Sequence, residues 1–239
     1  MRRGIDCIPL GKGDAKNLLC YPRVIEPYCS RLLRALREAG VEEACSYGPH
    51  RLPSGYSILG SGWAGNVVAL VWRGKLVAGK LLKPGSRRPS MLREALLAVV
   101  AGLYGIGPEV YQMSRWFILM RLIDGPRLGE YKASEPWRLW LVLRRLIYKA
   151  YLLDRLGIDH GELVRPEGQV LVEKDEPYII DYDSASIERK PRNLTRLLTG
   201  LWRLGLIKRS PLELRDLLRS YRYKPSLELL NSILKALHL

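Results

Sequence analysis

The spacing of apolar positions divides the chain into a sheet-like first half and a helical second half. From Tyr56 to Leu82 the sequence runs YSILGSGWAGNVVALVWRGKLVAGKLL: a short apolar strand, a glycine turn (Gly60, Gly62, Gly65) and a β-branched run over Val67–Val71. A tight Arg73-Gly74 turn leads into a third strand that reaches Lys80. Ahead of this block, Val24 to Ala39 reads as a helix, with Leu32, Leu33 and Leu36 apolar, Arg31, Arg34 and Arg37 polar, and Gly40 as its stop. Residues 1–20 show no period and read as a loop or arm, and His50–Gly55 reads as a linker. After the strands, Lys83–Pro89 is a basic, turn-rich connector to a helix over Ser90–Leu103, and Trp116–Met120 is a further strand. The pattern then turns helical over Pro136–Leu156, where Leu139, Leu143, Leu146, Ile147, Ala150 and Leu153 form an apolar stripe and Gly157 ends it. Two short strands, Gln169–Val172 and Tyr178–Ile180, precede helices near Leu194–Leu204, Leu212–Tyr221 and Leu227–Leu237. The expected class is α+β: a helical, cysteine-bearing extension at 1–53, a sheet with one helix at 54–122, and a mostly helical region at 123–239. The extension would be a recognition module or a cover for one edge of the sheet.

Composition narrows this picture. At 239 residues, with 47% hydrophobic and 26% charged residues, the chain is long enough for one large domain or two smaller ones. It has no apolar run of membrane-spanning length and no apolar signal core near its start, so a cytoplasmic protein without a membrane partner is expected. The net charge is +15, and from Ser184 onward 12 Lys and Arg face 4 Asp and Glu. Such a basic region suits RNA or a ribonucleoprotein, or equally a solvated, heat-adapted surface. Cys7, Cys20, Cys29 and Cys45 form no CxxC pair, so buried or free thiols are expected, with disulfides and a zinc site as alternatives.

The glycines of Gly60-x-Gly62-x-x-Gly65 do not open a helix, and Lys80 stands where a dinucleotide-binding fold would carry an acid. No Gly-Lys-Ser/Thr follows, so a Walker-type loop is excluded too. A glycine-bent hairpin that covers a nucleotide's phosphates remains, with a strand lysine to meet them. Ala78 and Lys80 share a strand face, where a base can lie flat against the alanine. Glu94, on the following helix, is placed to hold Lys80 by an ion pair. Met120–Gly125 reads as a hinge whose backbone faces an adenine edge. Further on, Asp159-His160-Gly161-Glu162 lies in an irregular polar loop, and the second short strand delivers Asp181.

This order of elements resembles the protein-kinase-like fold, most closely the small atypical kinases: RIO kinases, small tRNA-modification-complex kinases and archaeal predicted Ser/Thr kinases. The likeness covers about Ser54–Leu204. It rests on Gly60-x-Gly62-x-x-Gly65-x-Val67, Val77-Ala78-Gly79-Lys80, His160-Gly161-Glu162 and Ile180-Asp181-Tyr182. The resemblance implies two lobes with Mg-ATP bound between them. Lys80 would contact phosphates and pair with Glu94, Asp181 would bind magnesium, and Val67, Ala78, Met120 and Leu122 would enclose the adenine. The acceptor would be a hydroxyl on an unidentified protein, or water.

Two positions depart from the pattern. Glu162 replaces the catalytic aspartate, and Glu167 stands where a magnesium-binding asparagine is expected. The longer side chain shifts the carboxylate by roughly 1 Å, a displacement that can cost on the order of 10²-fold in rate. Glu167 would still suit magnesium, and Asp183 is a second acidic candidate. His160 is expected to stabilise the loop, and Arg165 to face phosphate or cap a turn. The leading expectation is an atypical kinase or ATPase with Glu162, Lys80 and Asp181 as its catalytic set. The alternative is a pseudokinase scaffold that binds nucleotide or a ribonucleoprotein. A small-molecule phosphotransferase gains nothing from this loop.

Overall fold

A computed structural model describes residues 5–239 as a mixed α+β protein with an antiparallel sheet and eight helices. In chain order these are β1 (Asp6–Pro9), α1 (Ala15–Leu19), α2 (Tyr28–Glu38), β2 (Val41–Ser46), β3 (His50–Arg51) and β4 (Ser57–Ile58). There follow β5 (Gly60–Ser61), β6 (Gly65–Trp72), β7 (Lys75–Leu82), α3 (Leu92–Leu103), β8 (Val110–Met113) and β9 (Phe117–Arg121). The remainder holds α4 (Pro136–Arg155), α5 (Pro166–Gln169), β10 (Val170–Glu173), β11 (Glu176–Ile179), a 3-10 turn at Tyr182–Ser184, α6 (Asn193–Arg203), α7 (Arg215–Tyr223) and α8 (Leu227–Ala236). The chain divides into two compact units. One comprises residues up to Leu96 with Glu109–Leu122, the other Leu97–Pro108 with Ile123–Leu239. No helix among the described residues is long and apolar enough to cross a membrane.

The first unit is built on a sheet of order β1-β2-β6-β7-β9-β8, with β5 also pairing β6. Its centre is the β6–β7 hairpin, whose register runs unbroken from Gly65↔Leu82 to Trp72↔Lys75 around the Arg73-Gly74 turn. Both turn residues have positive φ, which glycine adopts without strain and which matches the twist of the flanking strands. Side chains alternate between the faces. Val77 and Leu81 join Val68, Leu70, Phe117 and Leu119 in a core closed by Leu18 and Leu19 of α1 and Leu32, Leu33 and Leu36 of α2. On the other face Leu82 and Ile118 pack with Met91 and with Ala95 of α3. At Gly79 the Leu70 side chain occupies the space a Cβ would take, so a larger residue there would require Leu70 to move.

The first 53 residues differ from the helical extension expected of them. The α2 helix is present, but the aperiodic segment before it contains β1 and α1, and β2 follows it. Strand β2 pairs β6 directly, so these residues form the sheet's flank and cover one of its faces rather than standing apart. Residues 1–4 of the expected arm lie outside the described residues. The cysteines are paired, not free. Cys7 and Cys45 sit directly opposite in the β1–β2 ladder and are bridged, and a second disulfide joins Cys20, at the end of α1, to Cys29 in α2.

In the second unit, α4 buries Val142, Leu143, Leu146, Ile147, Ala150 and Leu153. Leu194, Leu197, Leu198 and Leu201 of α6 form a matching buried stripe on the helix that packs against it. The β10–β11 hairpin turns through Lys174 and Asp175, both at positive φ. Asp175 is held there by the Tyr131 hydroxyl, at 2.6 Å, and by Arg138. A buried Asp154 of α4 ties α6 and α7 to its own helix. It accepts from the Asn193 backbone and side chain at 2.8 Å each, from the Leu194 backbone at 3.1 Å and from the Tyr221 hydroxyl at 2.8 Å. Burial raises its pKa despite these donors.

Candidate functional site

In the first unit the glycine segment forms a short hairpin, with Gly60 opposite Val67 and Ser61 opposite Asn66. The Gly62 amide closes it on the Gly65 carbonyl at 2.9 Å. Gly65 is required by close approach, since a Cβ would lie 2.7 Å from the Leu81 carbonyl oxygen. Two side chains whose part the sequence did not suggest, Lys83 and Asn66, steady this bend. The Lys83 ammonium donates to Ser61 Oγ at 2.8 Å and to the Gly62 carbonyl at 2.6 Å. The fully buried Asn66 accepts from Ser61 Oγ at 2.9 Å and donates to the Tyr21 carbonyl at 2.6 Å. Trp63 stands at the tip, 97% exposed.

Strand register places the other expected residues of this unit. Lys80 lies opposite Val67 on one side and Ile118 on the other, and Ala78 lies opposite Met120. Directly opposed residues share a face, so Val67, Ala78, Lys80 and Met120 lie on the α3 side of the sheet. Leu122 follows β9, half-buried like Val67 and Met120. Lys80 and Glu94 form a buried ion pair, with side-chain exposures of 8% and 3%, and the Arg88 guanidinium lies 3.9 Å from the second Glu94 oxygen. Desolvating two charges is costly, and a buried pair survives only with close geometry and supporting partners.

Of the residues expected in the second unit, Asp159, Glu162 and Asp181 lie close enough to His160 to act on its charge, and His160 is fully buried. Its Nε2 bonds the Ile180 carbonyl at 3.0 Å, its backbone amide donates to Asn193 Oδ1 at 2.8 Å, and its ring packs edge-on to Tyr182. Burial lowers the pKa of His160, so the neutral ring is the favoured form. This is the loop-stabilising part expected of it. Asp159 is buried as well and pairs with Arg189 and Arg196, which gives it a structural part. Its backbone also exchanges hydrogen bonds with Ser186, stitching the loop to the segment after Asp181.

Glu162 follows Gly161, whose φ of +92° suits glycine and whose Cβ would lie 2.9 Å from the Ser184 carbonyl. One Glu162 oxygen accepts from Ser184 Oγ at 2.5 Å and the other from Gln169 Nε2 at 2.8 Å. Asp181 holds a left-handed backbone, φ 66° and ψ 77°, unusual for a non-glycine residue, and its Oδ1 accepts from the Asp183 amide at 3.4 Å. Glu167, on α5, is engaged by Arg203 of α6 at 3.0 and 3.3 Å. Arg165 is exposed and donates its amide to the Glu162 carbonyl at 2.9 Å, an ordinary turn contact. Ser184, Gln169 and Arg203 were not singled out from the sequence, because a lone polar residue carries no motif.

Among the described residues no three His, Cys, Asp or Glu side chains converge as a metal site. Magnesium that arrives with a nucleotide needs only one or two carboxylates beside phosphate oxygens and water. Asp181 supplies one such carboxylate, and Glu167 is engaged by Arg203. Comparison with protein-family models and with curated proteins finds no match for the chain.

Proposed function

We propose that the chain is a protein-kinase-like phosphotransferase that binds ATP with magnesium and passes the γ-phosphoryl group to a hydroxyl or to water. The observation that carries this reading is the buried Lys80–Glu94 pair on the strand beside the glycine hairpin. A lysine sequestered from water in this way is held where it can meet phosphate oxygens as a fixed charge. In this reading the hairpin amides cover the phosphates, and Val67, Ala78, Met120 and Leu122 pack on the adenine. Asp181 would hold the metal, whose charge offsets that of the β- and γ-phosphates. Glu162 would orient the acceptor and take its proton as the acceptor oxygen bonds to phosphorus and the bond to the ADP oxygen breaks.

The test is transfer of label from γ-labelled ATP, either to the protein itself or as released phosphate. Lys80→Ala and Asp181→Ala should both abolish it, and labelling that survives both changes would remove the assignment. A second reading has its own support, a nucleotide-binding pseudokinase. Both Glu162 oxygens already accept hydrogen bonds, from Ser184 and Gln169, which leaves that carboxylate less available as a base. A thermal shift produced by ATP and magnesium without turnover would favour this reading.

A further inference from the structure

The segment after Asp181 leads into a different feature of the second unit, a surface concavity of about 580 Å³. Its walls carry Lys190 and Arg192 from the connector into α6, and Arg219, Ser220, Arg222 and Tyr223 from α7. Ion pairs of this unit include those of Arg138, Arg145, Lys149, Arg189, Arg196 and Arg203, none of which lines the concavity. None of the four cations in the concavity pairs with a carboxylate among the described residues, and no acidic residue lines it. Arg219, Arg222 and Tyr223 have i, i+3, i+4 spacing and therefore share one face of α7. Tyr223 is 87% exposed.

Both walls are fixed from beneath by one buried group. Asp154 bonds Asn193, the neighbour of Arg192, and Tyr221, the neighbour of Arg222. The connector is also anchored by Arg189, which donates to the Ser184 carbonyl and pairs with Asp159. Four like charges are thus held around one concavity without counter-charge, an arrangement that repels itself until an anion enters. A compact phosphate compound would satisfy the cations but leave an exposed aromatic unused. Asp and Glu side chains alone, as in an acidic peptide, offer no flat ring to place on it. Cations spaced along a groove beside an exposed aromatic suit a phosphodiester backbone with a base stacked on the ring.

We infer that this concavity binds single-stranded nucleic acid, its phosphates on Lys190, Arg192, Arg219 and Arg222 and a base on Tyr223. The site stands on its own geometry and is independent of the phosphotransfer reading. Its test is fluorescence anisotropy of the full chain with labelled oligoribonucleotides and oligodeoxyribonucleotides of roughly 20 nucleotides, titrated with salt. Four phosphate contacts predict a slope of log K against log salt of about −2.8, or about a 50-fold loss between 50 and 200 mM salt.

The variant K190A/R192A/R219A/R222A should lose that slope. Tyr223→Ser should weaken binding on the order of 10-fold and leave the slope intact. All five side chains are exposed, so both variants should melt like the parent. The control K12A/R23A/R31A/R34A removes equal charge from exposed positions of the first unit and should bind normally. Binding of either oligonucleotide with this mutational pattern supports the site, and the preferred sugar identifies the source. Equal losses in the two quadruple variants would overturn it, as would poly-glutamate of equal length competing as well as RNA.

Discussion

Converting the Lys80–Glu94 pair into apolar neighbours separates its structural weight from its function. Lys80→Met leaves the Glu94 carboxylate in a site where its side chain is 3% exposed, and Glu94→Leu leaves the Lys80 ammonium where its side chain is 8% exposed. Each single change should cost about 3–5 kcal/mol, because a buried charge loses its closest partner. The double variant K80M/E94L removes both charges and keeps the volume. It should lie close to the parent, or exceed it by up to about 4 kcal/mol, as apolar replacements of buried pairs often do. Arg88, within 3.9 Å of Glu94, is 39% exposed and can turn to water in the double variant. Urea unfolding of all four proteins closes the cycle, and the coupling should exceed about 3 kcal/mol. The same four proteins, melted with and without ATP and magnesium, should show a nucleotide-induced shift only in the parent. A coupling below about 0.5 kcal/mol would show that the pair does not act as a unit. A double variant that is stable and still shifted by nucleotide would show that the pair serves the fold alone.

Three other outcomes are expected. Asp154→Ala strands the donors of Asn193, Leu194 and Tyr221, each of which should cost about 1–3 kcal/mol, and the loss is read by urea unfolding. His160 has its folded pKa depressed below 6.5 by burial, so the unfolded chain takes up the proton first as pH falls. Its contribution is complete above pH 6.5 and is lost as pH drops toward the folded value, and His160→Gln should flatten stability measured across that window. The disulfides close segments separated by 38 and 9 residues, so replacing both cysteines of a pair by serine should cost about 4 kcal/mol for Cys7–Cys45 and about 2.5 kcal/mol for Cys20–Cys29. Thermal melts with and without reductant should reproduce that order.

The parts of the fold that could be read from sequence are those in which local pattern and tertiary environment agree. Val67–Val71 is apolar and rich in valine, with Val68–Val71 buried, Arg73-Gly74 is a local turn, and α4 carries a long apolar stripe, so each announces itself within its own window. Strand β2 does not, because Val41-Glu42-Glu43-Ala44 follows directly on a helix and its glutamates interrupt any alternation. Its pairing with β6 is set by residues about 25 to 30 positions away. The cysteine connectivity was open for a related reason: four cysteines allow three pairings, and only the β1–β2 register sets Cys7 against Cys45. In the candidate site, Lys80 and Glu94 were legible because strand and helix periods both point inward. That Arg203 holds Glu167 from 36 residues away, and that Ser184 and Gln169 share Glu162, are facts of packing with no local trace.

The position of β2 beside β6 bears on where the chain can be shortened. A cut at Ser54, the apparent start of the glycine block, would strip α1 and α2 from Val68, Leu70, Val77 and Leu81. It would also leave the β2-facing side of β6 without its ladder from Trp72 to Ala69. An apolar face and an open, β-branched strand edge would then be presented together, the combination that recruits other strands and promotes self-association. The cysteine-bearing segment therefore acts as a guard on the sheet: it keeps the hairpin that carries Lys80 from finding partners of its own kind.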